Sequence, residues 1–320
     1  MGEFELIERF FASSTKRPDV LLGIGDDAAL IDVPAQHQLV VTTDTLVEGI
    51  HFFADIPPAA LGHKALAVNL SDLAAMGAEP RWVTLAITLP SARMEWLEQF
   101  CRGFFELAEY YNVTLIGGDT TRGPLSITVT AHGVIPEGAA ICRHRAKPGD
   151  WVYVTGTLGG SALALKYLQG LVHLEHDVLH SLLKRHYYPQ PRVLSGYGLR
   201  GVASSCIDIS DGLLADLQHI TNASHCSARL NLEQLPINPQ VLANCDESQA
   251  FELALCGGED YELCFTVSEE NKGSLDIALS YSGVEYHCIG QLQLENEPVS
   301  LFLNDEPFEL NRERGWDHFA

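Results

Sequence analysis

Aspartates recur in this chain after apolar, strand-like runs, and this recurrence constrains the fold more than any other feature. Most of these aspartates have Gly, Ser or Thr beside them. Such an arrangement predicts carboxylates at strand-to-loop and strand-to-helix junctions, where open α/β sheets place their ligands. The segments concerned are GIGDDAAL (Asp26, Asp27), VVTTDTL (Asp44), VNLSDLAAMG (Asp72), IGGDTT (Asp119) and CIDISDGL (Asp208, Asp211).

Carboxylates crowded together repel one another unless cations lie among them. Hard oxygen ligands suit Mg²⁺, which usually takes one or two carboxylates per ion and completes its coordination with water and substrate phosphates. Several aspartates therefore predict several magnesium ions and a polyphosphate substrate. The pattern indicates metal-dependent phosphoryl transfer.

Composition narrows the range of partners. A chain of 320 residues, of which 46% are hydrophobic, is long enough for two domains with real cores. Its formal charge of −22 leaves no basic stripe for nucleic acid, and no Lys/Arg cluster adjoins an amphipathic helix that could bind a membrane. We therefore expect neither nucleic acid nor membrane as a partner. A nucleotide can still bind if Mg²⁺ bridges it to the carboxylates. The local cations available to help are Arg122, Arg143, Arg145 and Lys147.

Cysteine usage and the first residues indicate a cytoplasmic protein. The eight cysteines are scattered without a C-x-x-C pair, as expected for reduced core residues. The opening MGEFELIERFF is acidic and amphipathic, unlike a signal peptide. No stretch approaches the roughly 18 apolar residues of a membrane span.

Hydrophobic periodicity predicts a mixed α/β fold. In the first half, strand-like runs cover 39–44, 82–89 and 125–135, and a 3.6-residue period predicts helices over 61–76 and 94–111. The aromatic residues of the second helix are expected in the core. In the first helix, Asn69 and Asp72 are three residues apart and should share one face.

A change of composition predicts the domain boundary. The segment PEGAAICRHRAKPGD is rich in Pro, Gly and basic residues and interrupts the periodicity, so we divide the chain into domains 1–140 and 141–320. The second half is predicted to contain strands at Trp151–Thr155 and 261–267, a strand in CIDIS and a helix from Asp211.

Three glycine-containing motifs have simpler structural interpretations. GIGDD resembles the start of a dinucleotide fingerprint, but Asp-Asp replaces the required x-x-G, which disfavours a dehydrogenase. GTLGGSALAL lacks the G-K-[ST] ending of a phosphate loop and is expected to be a tight turn into a helix. In IDISDG, Ser210 is expected to N-cap the following helix, whose free N–H groups would favour a phosphate. The aspartates of this motif could instead serve only in capping.

A series of motifs resembles the thiamine-monophosphate kinase family, and the match spans nearly the whole chain. The resemblance implies the two-domain architecture of the aminoimidazole ribonucleotide synthetase-like superfamily, with α/β domains at both ends and N-terminal halves paired in a homodimer. The chain has no Cys or Lys near its N-terminal glycines, as a selenophosphate synthetase would, and ends in WDHFA without cysteine. The motifs are GIGDDAAL, TTDTLVEGIHF, KALAVNLSDLAAMGAEP, IGGDTTRGP, AKPGDWVYVTG, IDISDGL and GGEDYEL.

The resemblance also implies roles for individual residues. The implied magnesium ligands are Asp27, Thr42, Thr43, Asp44, Asp72, Asp119, Asp208 and Asp211. The implied ATP contacts are Gly118, Asp119, Arg143 and Ser210, and the implied substrate contacts are His51, Glu259 and Trp316. The last of these could stack on a cationic ring or could simply cover a hydrophobic edge.

The implied acceptor needs no general base. A phosphate monoester has a second pKa of about 6, so at neutral pH it is mostly a dianion with a nucleophilic oxygen. The barrier is its repulsion from the ATP γ-phosphate, which magnesium ions would reduce. We therefore expect direct transfer from ATP to thiamine monophosphate, giving ADP and thiamine diphosphate. Two alternatives stay open: another ATP-dependent enzyme of the superfamily acting on a different phosphate or carboxylate, and a non-catalytic protein stabilised by metal.

Overall fold

Two structural units are formed in the computed structural model, which describes residues 3–12, 17–294 and 299–310. The first unit comprises Met1–Leu73 and Ala78–Gly138, and the second comprises Ala74–Gly77 and Ala139–Ala320. Each unit is built on its own β-sheet with helices packed against it. The mixed α/β class predicted from the periodicity is confirmed.

The first half of the chain contains three helices and six strands within the described residues. They are α1 (Glu3–Phe10), β1 (Val20–Leu22), β2 (Leu30–Ile31), β3 (His37–Val47), α2 (Pro58–Ala75), β4 (Glu79–Leu89), α3 (Met94–Tyr110), β5 (Thr114–Arg122) and β6 (Ser126–Pro136). All five elements predicted here are present; β3 and β4 are longer than their predicted runs, and β6 has the predicted length shifted by one residue.

The sheet of the first unit has the strand order β3-β6-β4-β5. The β4/β5 pair is parallel, and the β3/β6 and β6/β4 pairs are antiparallel. Strands β3 and β5 are therefore the two edges. One transverse row of the sheet runs through Asp44, Val129, Leu85 and Gly118.

Helices α2 and α3 cross at very short range because glycine stands at the crossing. A Cβ on Gly62 would lie 2.1 Å from the backbone oxygen of Phe100, and one on Gly103 would lie 1.9 Å from that of Ala59. Both distances are sterically forbidden, so the backbones approach only without side chains there. As predicted, Phe100 and Phe104 of α3 are buried in the core, whereas Tyr111, also predicted there, follows the end of α3 and is only partly buried.

A small hairpin formed by β1 and β2 packs on residues of β4, β5 and β6 in the sheet of the first unit. Val20 and Ile31 pack on a cluster that contains the fully buried Trp82 of β4. The Trp82 indole Nε1 donates a hydrogen bond of 3.1 Å to Asp19 Oδ1, which satisfies its buried polar atom.

The second half of the chain contains seven helices and seven strands within the described residues, together with short 3₁₀ turns at Arg143–Arg145, Leu232–Gln234 and Lys272–Ser274. The elements are β7 (Trp151–Thr155), α4 (Gly160–Leu168), α5 (His176–Tyr187), α6 (Val193–Leu199), β8 (Ser205–Asp208), α7 (Leu213–Ser224), β9 (Ser227–Asn231), α8 (Pro239–Asn244), α9 (Glu247–Cys256), β10 (Leu263–Val267), α10 (Leu275–Leu279), β11 (Tyr286–Gln293), β12 (Ser300–Leu303) and β13 (Glu306–Phe308).

The second sheet has the order β13-β12-β9-β11-β7-β10-β8. Its pairs are antiparallel except β9/β12, which is parallel. One hydrophobic core joins sheet residues such as Val154 and Ile207 to Leu217 of α7 and Phe251 of α9. Because β8 stands last in the strand order, it is one edge of this sheet, and Asp208 is its last residue.

Two general expectations can be compared with the described residues. None of the eight cysteines forms a disulfide bond, but only Cys101, Cys206, Cys226 and Cys264 are buried, so the prediction of core positions holds for half of them. Among the helices in these parts of the chain, none is both long enough and apolar enough to cross a bilayer.

Candidate functional site

Strand β3 and helix α2 bring three of the predicted metal ligands together in the first unit. Thr42 Oγ1 donates a hydrogen bond of 2.5 Å to Asp72 Oδ2, and the backbone N–H of Asp44 donates one of 3.1 Å to Asn69 Oδ1. Asn69 is completely buried and its Nδ2 donates to the Ala65 carbonyl, which orients its amide. The shared face predicted for Asn69 and Asp72 is therefore confirmed, and it faces β3.

The expectation that the aspartates lie at strand-to-loop or strand-to-helix junctions is wrong for Asp44, Asp72 and Asp119, and it is confirmed for Asp208 and Asp211 around the end of β8. Asp44 lies inside β3, Asp119 lies inside β5 and Asp72 lies inside α2, whereas Asp208 does end β8. Asp27 lies in the loop between β1 and β2. An apolar run followed by a polar residue does not distinguish a strand that ends from one that continues with alternating faces.

The alternation of β3 separates Thr43 from its neighbours. Thr43 Oγ1 donates to Thr130 Oγ1 at 2.9 Å across the β3/β6 pair, on the face opposite to Thr42 and Asp44. A contribution from Thr43 to an ion bound by Asp44 would therefore come from its backbone carbonyl.

The Gly118–Asp119 pair lies at the other edge of the same sheet. Gly118 has a φ of 153°, and a Cβ there would lie 1.8 Å from the Leu85 carbonyl oxygen, so glycine is required. Asp119 follows with an exposed side chain. Three strand spacings of about 4.8 Å separate β5 from β3, so about 14 Å of sheet lies between Asp119 and Asp44. The structure does not bring these two predicted ligands together.

Two other predicted residues of the first unit have local hydrogen bonds. Asp27 is exposed, and its backbone N–H donates to Asp26 Oδ1 at 2.8 Å. His51 Nδ1 accepts the backbone N–H of Val47 at 3.0 Å, which fixes its ring against the end of β3. In this arrangement a neutral His51 carries its proton on Nε2.

In the second unit, the loop after β8 is organised by a residue that the sequence interpretation missed. Asp216 Oδ2 accepts the backbone N–H groups of Ser210, Asp211 and Gly212 at 3.0, 3.1 and 3.1 Å. Helix α7 begins at Leu213, and no side chain caps its N-cap residue Gly212. The predicted N-cap role of Ser210 and the helix start at Asp211 are therefore wrong. The N–H groups expected to favour a phosphate already bind the Asp216 carboxylate.

The surroundings of Asp216 change the pKa of its carboxyl group. The pKa of Asp216 is raised to about 7, mainly by burial and also by the nearby Asp211 carboxylate, while the three N–H donors act in the opposite direction. An acidic residue in the first turn of a helix is the sequence signal that could have revealed it.

Replacing Asp216 by alanine is expected to leave three backbone donors without their acceptor and to lower the free energy of unfolding by roughly 2–4 kcal/mol. Asp216→Asn is the matched control, because its amide oxygen can still accept and its loss should be smaller. Urea unfolding measures both. Equal stability of the alanine variant and the wild type would show that Asp216 does not hold this loop.

The GGEDYEL segment lies directly beside the same loop. The backbone N–H of Glu259 donates to the Ser210 carbonyl at 2.8 Å, and that of Tyr261 donates to the Ile209 carbonyl at 2.9 Å. Ser210 and Glu259, predicted to contact ATP and substrate respectively, are thus brought together by the structure. Both Glu259 and Tyr261 have positive φ, at 66° and 49°, which side-chain-bearing residues seldom adopt.

Two further acids of GGEDYEL form a buried charged network that the sequence interpretation did not foresee. Glu262 is fully buried; it accepts from Arg185 Nη2 at 2.9 Å, from Arg192 Nε at 2.6 Å and from Thr155 Oγ1 at 2.7 Å. Asp260 Oδ2 accepts the backbone N–H of Gly159 at 2.7 Å. The turn after β7 is therefore bonded to this acidic segment, and its tight-turn interpretation is consistent with these contacts.

The stability of this network should depend on pH through Asp260. Its pKa is raised to about 7, mainly by burial and also by Glu262, while the Arg185 guanidinium and the Gly159 N–H act in the opposite direction. The folded protein then binds one more proton than the unfolded chain between about pH 4 and pH 7. The stabilisation is complete below pH 4 and is lost as the pH rises to 7, with a slope of at most about 1.4 kcal/mol per pH unit. Urea unfolding of wild type and Asp260→Asn at several pH values measures it, and a constant difference between them would contradict it.

The remaining predicted contacts are Arg143 and Trp316. Arg143 is exposed on the 3₁₀ turn Arg143–Arg145, which packs beside β8 and α7, and its carbonyl accepts from Ser224 Oγ at 2.7 Å. Arg143 is thus carried next to the strand that ends at Asp208. Trp316 lies outside the described residues.

No three His, Cys, Asp or Glu side chains among the described residues are grouped closely enough to hold a metal ion by themselves. The predicted crowding of carboxylates is therefore absent from each described unit taken alone. The candidate ligands do consist of oxygen donors, which suit Mg²⁺ completed by water and phosphate oxygens.

Comparisons with known proteins agree with this architecture. Residues 25–135 match the family model "AIR synthase related protein, N-terminal domain", and residues 147–299 match "AIR synthase related protein, C-terminal domain". The chain is 52% identical to the thiamine-monophosphate kinase of Escherichia coli strain K12, covering 100% of this chain and 98% of that protein.

Two solved structures are similar over most of the chain. The crystal structure of thiamine-monophosphate kinase from Stenotrophomonas maltophilia K279a has 44% sequence identity and a TM-score of 0.86, covering 96% of this chain and 98% of that one. AaThiL complexed with AMPPCP and TMP has 31% identity and a TM-score of 0.78, covering 92% of each chain. Both family models and the full-length identity confirm the resemblance of the motifs, and the chain belongs to the thiamine-monophosphate kinase family of AIR synthase related proteins.

Proposed function

We propose that this protein transfers the γ-phosphoryl group of ATP directly to the phosphate of thiamine monophosphate, giving ADP and thiamine diphosphate. The reaction is a step of thiamine diphosphate biosynthesis. It is supported by the relatives named above and by the complex of AaThiL with AMPPCP and TMP, because AMPPCP is an ATP analogue with a methylene between its β- and γ-phosphorus atoms.

The observation that carries the proposal is the hydrogen bond between the two loops of the second unit. The Ser210 loop is assigned to the nucleotide and the Glu259 loop to the acceptor, and the Glu259 N–H to Ser210 carbonyl bond of 2.8 Å joins them. Direct transfer requires donor and acceptor phosphates to meet in line, so their binding loops must be neighbours.

Magnesium is part of the proposal. Its fit rests on the oxygen donors at the β3/α2 contact, where Thr42 and Asp72 are joined and Asp44 is adjacent. The first domain would supply Asp27, Thr42, Thr43, Asp44, Asp72 and Asp119, and the second would supply Asp208 and Asp211. Bound there, the ions would neutralise charge on the phosphates. Gly118, Asp119, Arg143 and Ser210 would contact ATP, and His51, Glu259 and Trp316 the acceptor.

The function is tested by incubating the purified protein with ATP, MgCl₂ and thiamine monophosphate and quantifying ADP and thiamine diphosphate. We expect equal amounts of both products, and none when EDTA replaces MgCl₂. The same assay with other monophosphates and with carboxylates tests the first alternative, an enzyme of the superfamily with a different acceptor. That enzyme would release ADP only when one of these other compounds replaces thiamine monophosphate. A protein that releases no ADP with any acceptor, but whose melting temperature rises with Mg²⁺, would be the non-catalytic alternative.

A homodimer built on residues 1–140 is also proposed. Edge strand β3 exposes Leu39 and Val41 to 44% and 53%, and such an edge invites pairing unless it is covered. The wide separation of Asp44 and Asp119 across one sheet gives a second reason, since a second copy could supply the ligand that one chain holds too far away.

The eight free thiols support a cytoplasmic location.

The dimer is expected to persist at micromolar concentration and to be needed for activity. Val41→Lys should weaken it, because a charge would replace an apolar side chain at the proposed interface. Tyr281→Lys, at an exposed position of the second unit, is the control. Sedimentation equilibrium with activity assays measures both, and a fully active wild-type monomer would overturn the dimer while leaving the kinase proposal intact.

A further inference from the structure

Glu259 differs from the two other acids of its segment in where its carboxylate lies. The side chains of Asp260 and Glu262 are 0% and 1% exposed and bind groups inside the second unit, whereas that of Glu259 is 24% exposed. A partly exposed carboxylate beside the Ser210 loop can bind a ligand from solution. Thiamine carries a permanent cationic ring, which a carboxylate complements in charge.

The backbone at Glu259 is held rigidly in an unfavourable conformation. Residues with side chains seldom adopt left-handed backbone angles, and such angles persist only where the surroundings impose them. Here the N–H groups of Glu259 and Tyr261 bind the carbonyls of the loop after β8, and Asp260 binds the Gly159 N–H. The main chain of Glu259 is therefore fixed, while its side chain still has three rotatable bonds to be ordered.

The side chain of Glu259 is ordered by a buried histidine from α5. His186 Nδ1 lies 3.2 Å from Glu259 Oε2 and 2.8 Å from Ser161 Oγ of α4, and the imidazole is only 6% exposed. An ionised carboxylate can only accept, so the contact between His186 and Glu259 is attractive in the tautomer that carries its proton on Nδ1. The Ser161 oxygen is a second acceptor beside the same N–H and holds the ring in its plane.

We propose that His186 is a positioning residue for thiamine monophosphate. It fixes the Glu259 carboxylate, and Ser161 orients the imidazole ring of His186. The inference rests on the proposed function, because it requires Glu259 to contact the acceptor. A glutamate that is already ordered does not lose rotamer freedom on binding, a loss that costs about 0.5–1.5 kcal/mol for one side chain. Removing the Nδ1 donor should therefore weaken acceptor binding and spare ATP binding.

The test compares KM values for both substrates in His186 variants. His186→Leu, which lacks the donor, should raise the KM for thiamine monophosphate roughly 3- to 10-fold and leave the KM for ATP and kcat within about twofold. His186→Asn, whose amide N–H lies near the position of Nδ1, should restore a KM close to wild type. His180→Leu, at an exposed position of the same helix, is the matched control.

A double-mutant cycle separates a positioning role from a structural one. Once Glu259→Ala has removed the acceptor, adding His186→Leu should raise the KM no further, because the two residues act through one interaction. Ser161→Ala is a smaller change that should also raise the KM for thiamine monophosphate. It replaces His186→Leu in the test if the leucine variant does not fold.

The outcomes distinguish this inference from the function on which it rests. If the wild type forms no thiamine diphosphate, both the function and the inference fail. If the wild type is active but the His186 and Ser161 variants keep its KM for thiamine monophosphate, only the inference fails. Equal rises in both KM values, or a His186→Leu effect that persists undiminished in Glu259→Ala, would also overturn it.

Discussion

Asp44→Asn and Asp72→Asn are each expected to give a folded protein whose turnover of thiamine monophosphate is lower by roughly 100-fold or more. Each change removes one proposed magnesium ligand, and metal ions supply several kcal/mol of charge stabilisation in such reactions. Folding should survive, because an amide has nearly the same shape as a carboxylate, and in Asp72→Asn its oxygen can still accept from Thr42 Oγ1. Steady-state kinetics at saturating ATP and MgCl₂, with circular dichroism, measures the two effects.

Asp55→Asn is the matched control for these variants, because Asp55 is an exposed aspartate of the same unit that no proposed role involves. It should retain wild-type turnover. The proposed metal roles would be refuted by near-normal turnover in both Asp44→Asn and Asp72→Asn.

Unphosphorylated thiamine is expected to be a very poor acceptor, with kcat/KM lower than that of thiamine monophosphate by roughly 10³-fold or more. Its alcohol has a far higher pKa than a phosphate dianion, and no residue is proposed to deprotonate it; a general base is typically worth 10²–10⁴-fold. This rate is measured by incubating the protein with ATP and thiamine and quantifying the thiamine monophosphate formed over time by chromatography.

The control for the acceptor experiment is a competition assay. Thiamine should inhibit the reaction of thiamine monophosphate weakly if it binds, which separates failure to bind from failure to react. Comparable turnover of thiamine and its monophosphate would mean that a base operates at this site, and the interpretation of the aspartates as metal ligands would have to change.

The sequence predicted the elements of the fold better than their arrangement. Helix α3 was expected over 94–111 and spans Met94–Tyr110, because its apolar residues follow the helical period without interruption. Strand order and direction carry no such local signal, since pairs such as β3/β6 join residues far apart in the chain. The start of α7 was missed because Gly212, at a φ of 121°, and the Asp216 carboxylate set it.

The candidate site was predictable only where its residues are close in sequence. Asn69 and Asp72 share a face because a helix turns once every 3.6 residues, and the structure confirms it. Arg185 and Glu262 are 77 residues apart, and Arg192 and Glu262 are 70 apart, so no local pattern connects them. A buried acid is satisfied by tertiary partners, which spacing does not reveal.

The location of Asp44 within β3 makes correct strand pairing a requirement for chemistry as well as for stability. In a loop, an insertion can be absorbed by neighbouring residues, but in a ladder a slip by one residue moves every side chain to the opposite face. A slipped β3 would turn Thr43 and Thr45 toward α2 and send Asp44 to the other surface. A chain misfolded in this way would lack the proposed ligand on the face toward α2. Fidelity of folding is thus a condition for catalytic competence in this protein.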